Sequence, residues 1–150
     1  MKILIAGALA AAGLFGSAHA QTDADPRLTA MLAVHRQDLM SAVMVQYCQA
    51  HAPEQAPALK ASWQAWRERQ HLDHVAMRLQ RSAPLAVGGL TATQLGRLQA
   101  RMERAGPPAA LCAALQAGWS GNGTDLRSRY PLAFAPEPNP YEPYVMMAAP

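Results

Sequence analysis

The sequence predicts an all-α fold, a small bundle of about four helices with one disulfide and an extended, proline-rich C-terminal tail. Apolar residues recur three and four positions apart, as on one face of a helix. No stretch alternates β-branched with polar residues, the pattern of a half-buried strand. Prolines, glycines and capping residues separate the periodic segments and mark where each helix begins and ends.

The N-terminal segment, residues 1–20, has the pattern of a secretory signal peptide. Lys2 precedes an uncharged apolar run of thirteen residues, and small residues at Ala18 and Ala20 form an A-x-A cleavage pattern. A membrane span needs about twenty apolar residues, which disfavours an uncleaved anchor. We therefore expect cleavage near Ala20 and a periplasmic or secreted protein with no transmembrane span in the mature chain.

The mature chain is expected to form one helical domain, residues 21–130, followed by a tail at 131–150. Loss of Lys2 leaves 12 basic and 10 acidic residues, a formal charge of 12 − 10 = +2, which does not favour a nucleic-acid partner. The acidic residues are few and scattered, and no nucleophile or cofactor motif stands out. We therefore expect neither an enzyme nor a bound cofactor.

The first helix is predicted at residues 27–50. Asp25 is a good N-cap, and Pro26 suits the first helical position. Pro53 restricts the residue before it and ends the helix near Ala50. Its apolar stripe contains Leu28, Leu32, Leu39, Val43 and Tyr47, widened by Met31, Met40 and Met44. We interpret these methionines as core residues, the alternative being a methionine-rich binding groove.

The second helix is predicted at residues 55–82 and contains the stretch "WQAWRERQHLDH". At 100° per residue, one apolar face carries Trp63, Trp66 and Met77, and a basic strip carries Arg67 and Arg78. Paired tryptophans at this spacing usually belong to a core. The alternative is an aromatic platform for a ligand.

Two shorter helices follow the loop around Gly88. Thr91 and Gln94 form a capping box that begins a third helix at residues 92–105. A fourth helix at 108–117 is expected to end at Gly118, before a turn-rich loop. From residue 131 the frequent prolines favour an extended conformation, either packed along the body or disordered.

The two cysteines of the mature chain are Cys48 and Cys112. In an oxidising compartment such a pair most simply forms one structural disulfide. The alternatives are two free thiols or two metal ligands. The disulfide would join the end of the first helix to the fourth helix.

Two groups of side chains are candidates for binding. Arg97, Arg101 and Arg104 lie on one side of the third helix, and the segment from Lys60 to Arg104 has eight basic and three acidic residues. Together with Arg67 and Arg78 they are candidates for contact with an acidic partner or with anionic lipid headgroups, the alternative being a solvated basic face. His71 and His74, three residues apart, are candidates for a metal site that still lacks a third ligand, the alternative being a solvated polar face.

The segment "LTATQLGRLQARME" also allows a comparison with a known family. Leu90, Thr91 and Gln94 resemble the LTxxQ signature of the periplasmic Spy/CpxP stress chaperones and their metal-sensing relatives, and Arg27 to Met31 form an imperfect second copy. The resemblance covers about ten residues. It implies a helical, exported protein and transfers no functional residue.

These observations lead to one functional expectation and one alternative. We expect an exported, non-enzymatic helical protein that binds a protein partner in the periplasm, of the immunity, inhibitor or envelope-stress adaptor type. The alternative is a periplasmic metal or small-molecule sensor, or a chaperone of the Spy/CpxP kind.

Overall fold

The protein is described by a computed structural model that covers residues 25–121 and 124–137. In these two segments all regular structure is helical and no strand occurs, which confirms the predicted fold class. The predicted signal peptide, its cleavage site and residues 138–150 of the tail lie outside the described residues. The helices are α1 (Pro26–His51), α2 (Ala56–Gln70), α3 (Leu72–Ser82), α4 (Ala92–Arg104), α5 (Pro108–Ser120), α6 (Leu126–Arg129) and α7 (Pro131–Phe134), with a 3₁₀ turn at Pro84–Ala86.

The ends of α1 agree with the sequence prediction to within one residue. The side chain of Asp25 accepts a hydrogen bond of 2.9 Å from the amide of Arg27, and Pro26 occupies the first turn. At the other end, the amide of Ala52 donates to the carbonyl of Cys48. Local capping chemistry is therefore sufficient to define this helix.

The predicted single helix at 55–82 is wrong, because the chain breaks into α2 and α3 at His71. The backbone of His71 has φ 52° and ψ 42°, which places this residue in the left-handed region. The break turns α3 so that Leu72, Val75 and Leu79 are buried in the core. Met77, predicted on the tryptophan face, is instead 57% exposed, because a constant 100° per residue does not hold across the break.

The C-terminal half contains more helix than predicted. Helix α5 continues past Gly118 to Ser120, which places Trp119 in the core instead of a loop. Two further short helices follow: α6 lies after the predicted turn-rich loop, and α7 takes the first residues of the predicted extended tail. The described chain therefore exceeds four helices.

Helix α1 is the centre of the bundle and packs against α2, α3, α5 and α7. The Cys48–Cys112 disulfide is confirmed, with a Cα–Cα distance of 5.8 Å and both side chains fully buried. In the described part of the chain, no helix combines the length and hydrophobicity needed to cross a membrane. The core contains Met31, Val34, Val45, Cys48, Ala52, Leu59, Trp66, Leu72, Val75, Leu79, Cys112, Trp119, Leu126 and Ala133.

Candidate functional site

The basic face of α4 is an exposed surface of the molecule, formed by Arg97, Arg101 and Arg104. The capping box that begins this helix is present as predicted: the Thr91 hydroxyl accepts from the amide of Gln94, whose side chain accepts from the amide of Thr91. None of the three arginines makes an ion pair with a described residue.

The opposite side of α4 attaches it to the body of the protein. Leu98 and Met102 are buried there, although neither belongs to the main core. Helix α4 packs against α5, and the chain after it turns at Gly106, whose φ of 111° lies in the region that favours glycine. The buried side chains of Leu98 and Met102 therefore set the orientation of α4 and direct its basic face to solvent.

Arg67, predicted on a basic strip, is engaged within the protein. Its guanidinium donates to both carboxylate oxygens of Asp38, at 2.9 and 3.1 Å, and to Asp73 at 2.7 Å. It also lies 5.2 Å from the centre of the Trp63 ring. Burial by itself lowers the pKa of Arg67, but the hydrogen bonds and charges of Asp38 and Asp73 outweigh it and raise that pKa. Arg67 therefore joins α1, α2 and α3 and is not available to a partner.

Arg78, also predicted on the basic strip, is buried. Its side chain is 5% exposed, and its Nη1 donates to the carbonyl of Ala133 in α7 at 3.2 Å. The break at His71 rotates α3 relative to α2, and this rotation turns Arg78 inwards. Arg78 therefore does not lie on an exposed basic strip, and its guanidinium contacts the C-terminal segment of the chain.

The two tryptophans of the stretch "WQAWRERQHLDH" are part of the packing. Trp66 is buried and lies 6.2 Å, centre to centre, from Trp119, and its indole donates to the carbonyl of Thr124. Trp63 is half-buried, and its indole donates to the hydroxyl of Ser41 at 2.8 Å. Their interpretation as core residues is confirmed for Trp66 and holds in part for Trp63.

His71 and His74 are both exposed. His71 occupies the left-handed break and not a helical position, so the two residues do not lie three apart on one regular helix. Within residues 25–121 and 124–137, no three His, Cys, Asp or Glu side chains form a group that could hold a metal ion. Metal binding at this pair stays a prediction.

The structure brings together a second basic cluster that the sequence did not indicate. Arg27 of α1 lines one pocket with Arg78 and Arg81 of α3, and Glu137, from the segment after α7, contacts the last two. Oε1 of Glu137 is 3.3 Å from Nε of Arg78 and 3.3 Å from Nη2 of Arg81. More than fifty residues separate each pair of contacting segments, so only the tertiary fold reveals this site.

A comparison of this chain with protein-family models, curated proteins and solved structures finds no match, so no relative assigns it a function.

Proposed function

We propose that this chain is an exported, non-enzymatic protein that binds an acidic protein partner through the basic face of α4. The observation that supports this proposal is the presence of three exposed guanidinium groups, those of Arg97, Arg101 and Arg104, on one side of one helix. Their positions, four and three residues apart, place them side by side along the helix surface. Arg67 and Arg78 take no part in this surface.

The shape of the face suits the close approach of a partner. The three arginines line a shallow depression of about 560 Å³ together with Thr93, Gly96 and Ala100. A Cβ built on Gly96 would meet no atom within 4 Å, so the surface above it is open. Small residues between long cationic ones let a partner's backbone or acidic side chains come near the helix while the guanidinium groups contact them from the sides.

Charge accounts for the expected behaviour of this surface in binding. Exposed charges mainly accelerate association and select partners of opposite charge, and salt screens them over about 8 Å at physiological ionic strength. Binding through α4 should therefore weaken as salt is raised. The size and helical build agree with an immunity protein, an inhibitor or an envelope-stress adaptor, which are the partner-binding types we propose.

A capture experiment with matched variants tests this proposal. The mature chain would be immobilised and exposed to a periplasmic extract of its native host, and bound proteins would be identified by mass spectrometry. The test variant is R97S/R101S/R104S, and the control is R36S/K60S/R129S, which also removes three exposed cations, one each from α1, α2 and α6. Circular dichroism would establish that both variants are folded.

We expect the wild type and the control to capture a specific protein that the α4 variant does not capture. Its dissociation constant, measured with the purified partner, should rise with salt for the wild type more steeply than for the α4 variant. Equal capture by the α4 variant would reject this face as the binding surface. Failure of the wild type to capture any specific protein would reject the proposal as a whole.

A further inference from the structure

The second basic cluster forms a pocket between the N-terminus of α1 and the C-terminal end of α3. Its volume is about 390 Å³, and Glu137 closes one side of it. The pocket is separate from the basic face of α4 and shares no residue with it. It is lined by Asp25, Arg27, Leu28, Met31, Arg78, Arg81, Ser82 and Glu137.

The chain's own residues Pro136 and Glu137 contact the arginines at one side of this pocket, in the manner of a bound peptide. Nη2 of Arg27 donates a hydrogen bond of 2.8 Å to the main-chain carbonyl of Pro136. Arg78 and Arg81 hold the carboxylate of the next residue, Glu137. One arginine thus contacts the backbone and two contact the side chain, so the cluster recognises an acidic residue together with the carbonyl that precedes it.

Glu137 fits this cluster imperfectly. Both of its ion pairs are 3.3 Å long, whereas charge-assisted hydrogen bonds are usually about 2.7 to 2.9 Å. The side chain of Arg78 is only 5% exposed, and its Nε is buried without a hydrogen-bond partner of good geometry. A buried guanidinium that is incompletely paired carries a desolvation penalty, which a better-placed carboxylate would reduce.

The charges of the pocket favour an acidic occupant. Arg27, Arg78 and Arg81 contribute +3, and Asp25 and Glu137 contribute −2. The carboxylate of Asp25 is already used as the cap of α1, where it accepts from the amide of Arg27. When Glu137 leaves, the remaining groups sum to +3 − 1 = +2, so the emptied pocket attracts a second carboxylate.

We infer that this arginine pocket is a binding site for an extended acidic peptide segment, and that Pro136 and Glu137 occupy it as a displaceable internal ligand. The incoming peptide supplies a carboxylate to Arg78 and Arg81 and a preceding carbonyl to Arg27. Glu137 is 59% exposed and loosely held. The internal segment therefore lowers the apparent affinity of the pocket for an incoming peptide but does not prevent the peptide from replacing it. This site does not rest on the proposed role of α4.

Fluorescence anisotropy with a labelled peptide of the chain's own sequence, FAPEPNP, tests the inference. The full mature chain would be titrated as wild type and as Glu137→Gln, which weakens the internal ligand. If the internal ligand fills about nine tenths of the sites, the E137Q variant binds the peptide about tenfold more tightly than the wild type. A matched peptide with Gln in place of Glu should lose at least about tenfold in affinity, the equivalent of one charge-assisted hydrogen bond.

Two variants in the E137Q background locate the binding. Arg81→Ser removes an exposed contact and should weaken peptide binding at least about tenfold, whereas Lys60→Ser on α2, which belongs to neither basic surface, should leave it unchanged. Equal affinity of the wild type and E137Q, or of the Glu and Gln peptides, would overturn the inference. So would an R81S variant that binds normally. Inorganic phosphate that binds while the peptide does not would identify a simple anion site and also overturn it.

Discussion

The guanidinium of Arg67 donates two hydrogen bonds to the carboxylate of Asp38, from Nε at 2.9 Å and from Nη2 at 3.1 Å. Their side chains are 27% and 14% exposed, so water screens this bidentate pair only in part. The pair joins α2 to α1, and Asp73 extends it to the first turn of α3. A residue that the sequence places on a solvated strip is therefore a junction between three helices.

Replacement of Arg67 by methionine should destabilise the fold. Methionine keeps an apolar stem of similar length but removes the charge and every hydrogen bond to Asp38 and Asp73. We expect the free energy of unfolding to fall by about 2 kcal/mol, the range for charge-assisted hydrogen bonds that are partly buried. Urea denaturation measures this change. R97M on α4 is the control and should stay within about 0.5 kcal/mol of the wild type; an equal effect of the two variants would contradict the role of Arg67.

Local chemistry predicted much of the fold correctly from the sequence. The N-cap at Asp25, the capping box of Thr91 and Gln94, and the Cys48–Cys112 disulfide are all present. Each of these depends on a few neighbouring residues or, for the disulfide, on the absence of any other described cysteine. Helix caps and the disulfide, which depend on local or covalent constraints, can therefore be predicted from the sequence alone.

Tertiary contacts determine the two features that the sequence did not predict, the helix break at His71 and the burial of Arg78. His71 has no local signal for a left-handed conformation, and the break there is maintained by the burial of α3 residues such as Leu79. Arg78 is buried because its partners, Ala133 and Glu137, come from segments more than fifty residues away. Periodicity alone treats α2 and α3 as one helix and places Arg78 in water for that reason.

Removal of the disulfide should cost a large part of the stability of the protein. The bond closes a loop between residues 64 positions apart, for which the chain-entropy model gives about 4 kcal/mol. We expect the C48S/C112S variant to lose up to this amount in the free energy of unfolding, measured by urea denaturation. Because both sulfur atoms are buried, the native wild type should also resist mild reductant at concentrations that reduce the urea-unfolded protein.

A loss below about 1 kcal/mol in C48S/C112S would contradict the loop-closure account and indicate that the unfolded chain is already compact. Rapid reduction of the native wild type would contradict the burial of Cys48 and Cys112.

Truncation of a core leucine should have a much larger effect than truncation of an exposed one. Leu79 of α3 is fully buried in the main core, whereas Leu85 in the 3₁₀ turn is completely exposed. We expect Leu79→Ala to lower the free energy of unfolding by about 2 to 5 kcal/mol, because it removes buried methyl groups and leaves a cavity. Leu85→Ala should change it by less than about 0.5 kcal/mol. Similar losses for the two variants would contradict the observed orientation of α3.

The turn that begins α6 should respond to acid. The hydroxyl of Ser128 donates to Asp125, and this bond, with the backbone amide of Arg127, holds the pKa of Asp125 below its ordinary value of 3.8. A lowered pKa means that Asp125 stabilises the fold above its ordinary pKa and that this contribution is lost as pH falls through the folded value. Trp66, which donates to the carbonyl of neighbouring Thr124, provides a fluorescence signal for this region.

We therefore expect the tryptophan emission to change as pH is lowered below about 4, where a carboxylate of lowered pKa takes up its proton. Asp125→Asn is the matched control, because asparagine is also a good cap but does not titrate. The part of the acid transition that Asp125 causes should be absent from D125N. Identical pH profiles for the wild type and D125N would show that the cap at Asp125 does not contribute to the acid response.

The left-handed residue at the α2–α3 break offers a direct test of the break itself. His71 is exposed and is the only residue other than glycine with positive φ in the described segments. A left-handed conformation costs a non-glycine residue about 1 to 2 kcal/mol, whereas glycine adopts it without a Cβ clash. His71→Gly should therefore raise the free energy of unfolding by about 0.5 to 1 kcal/mol, once the greater chain entropy of unfolded glycine is subtracted.

The matched control for H71G is Lys60→Gly, at an exposed position in the regular part of α2. There glycine should lower the free energy of unfolding by about 1 kcal/mol, because it weakens a right-handed helix. Opposite signs for H71G and K60G, measured by thermal and urea denaturation, would be the signature of a left-handed break between two helices. Equal destabilisation by both variants would mean that residues 55–82 form the continuous helix that periodicity predicts, because glycine would then disrupt a helical position at residue 71 as it does at residue 60.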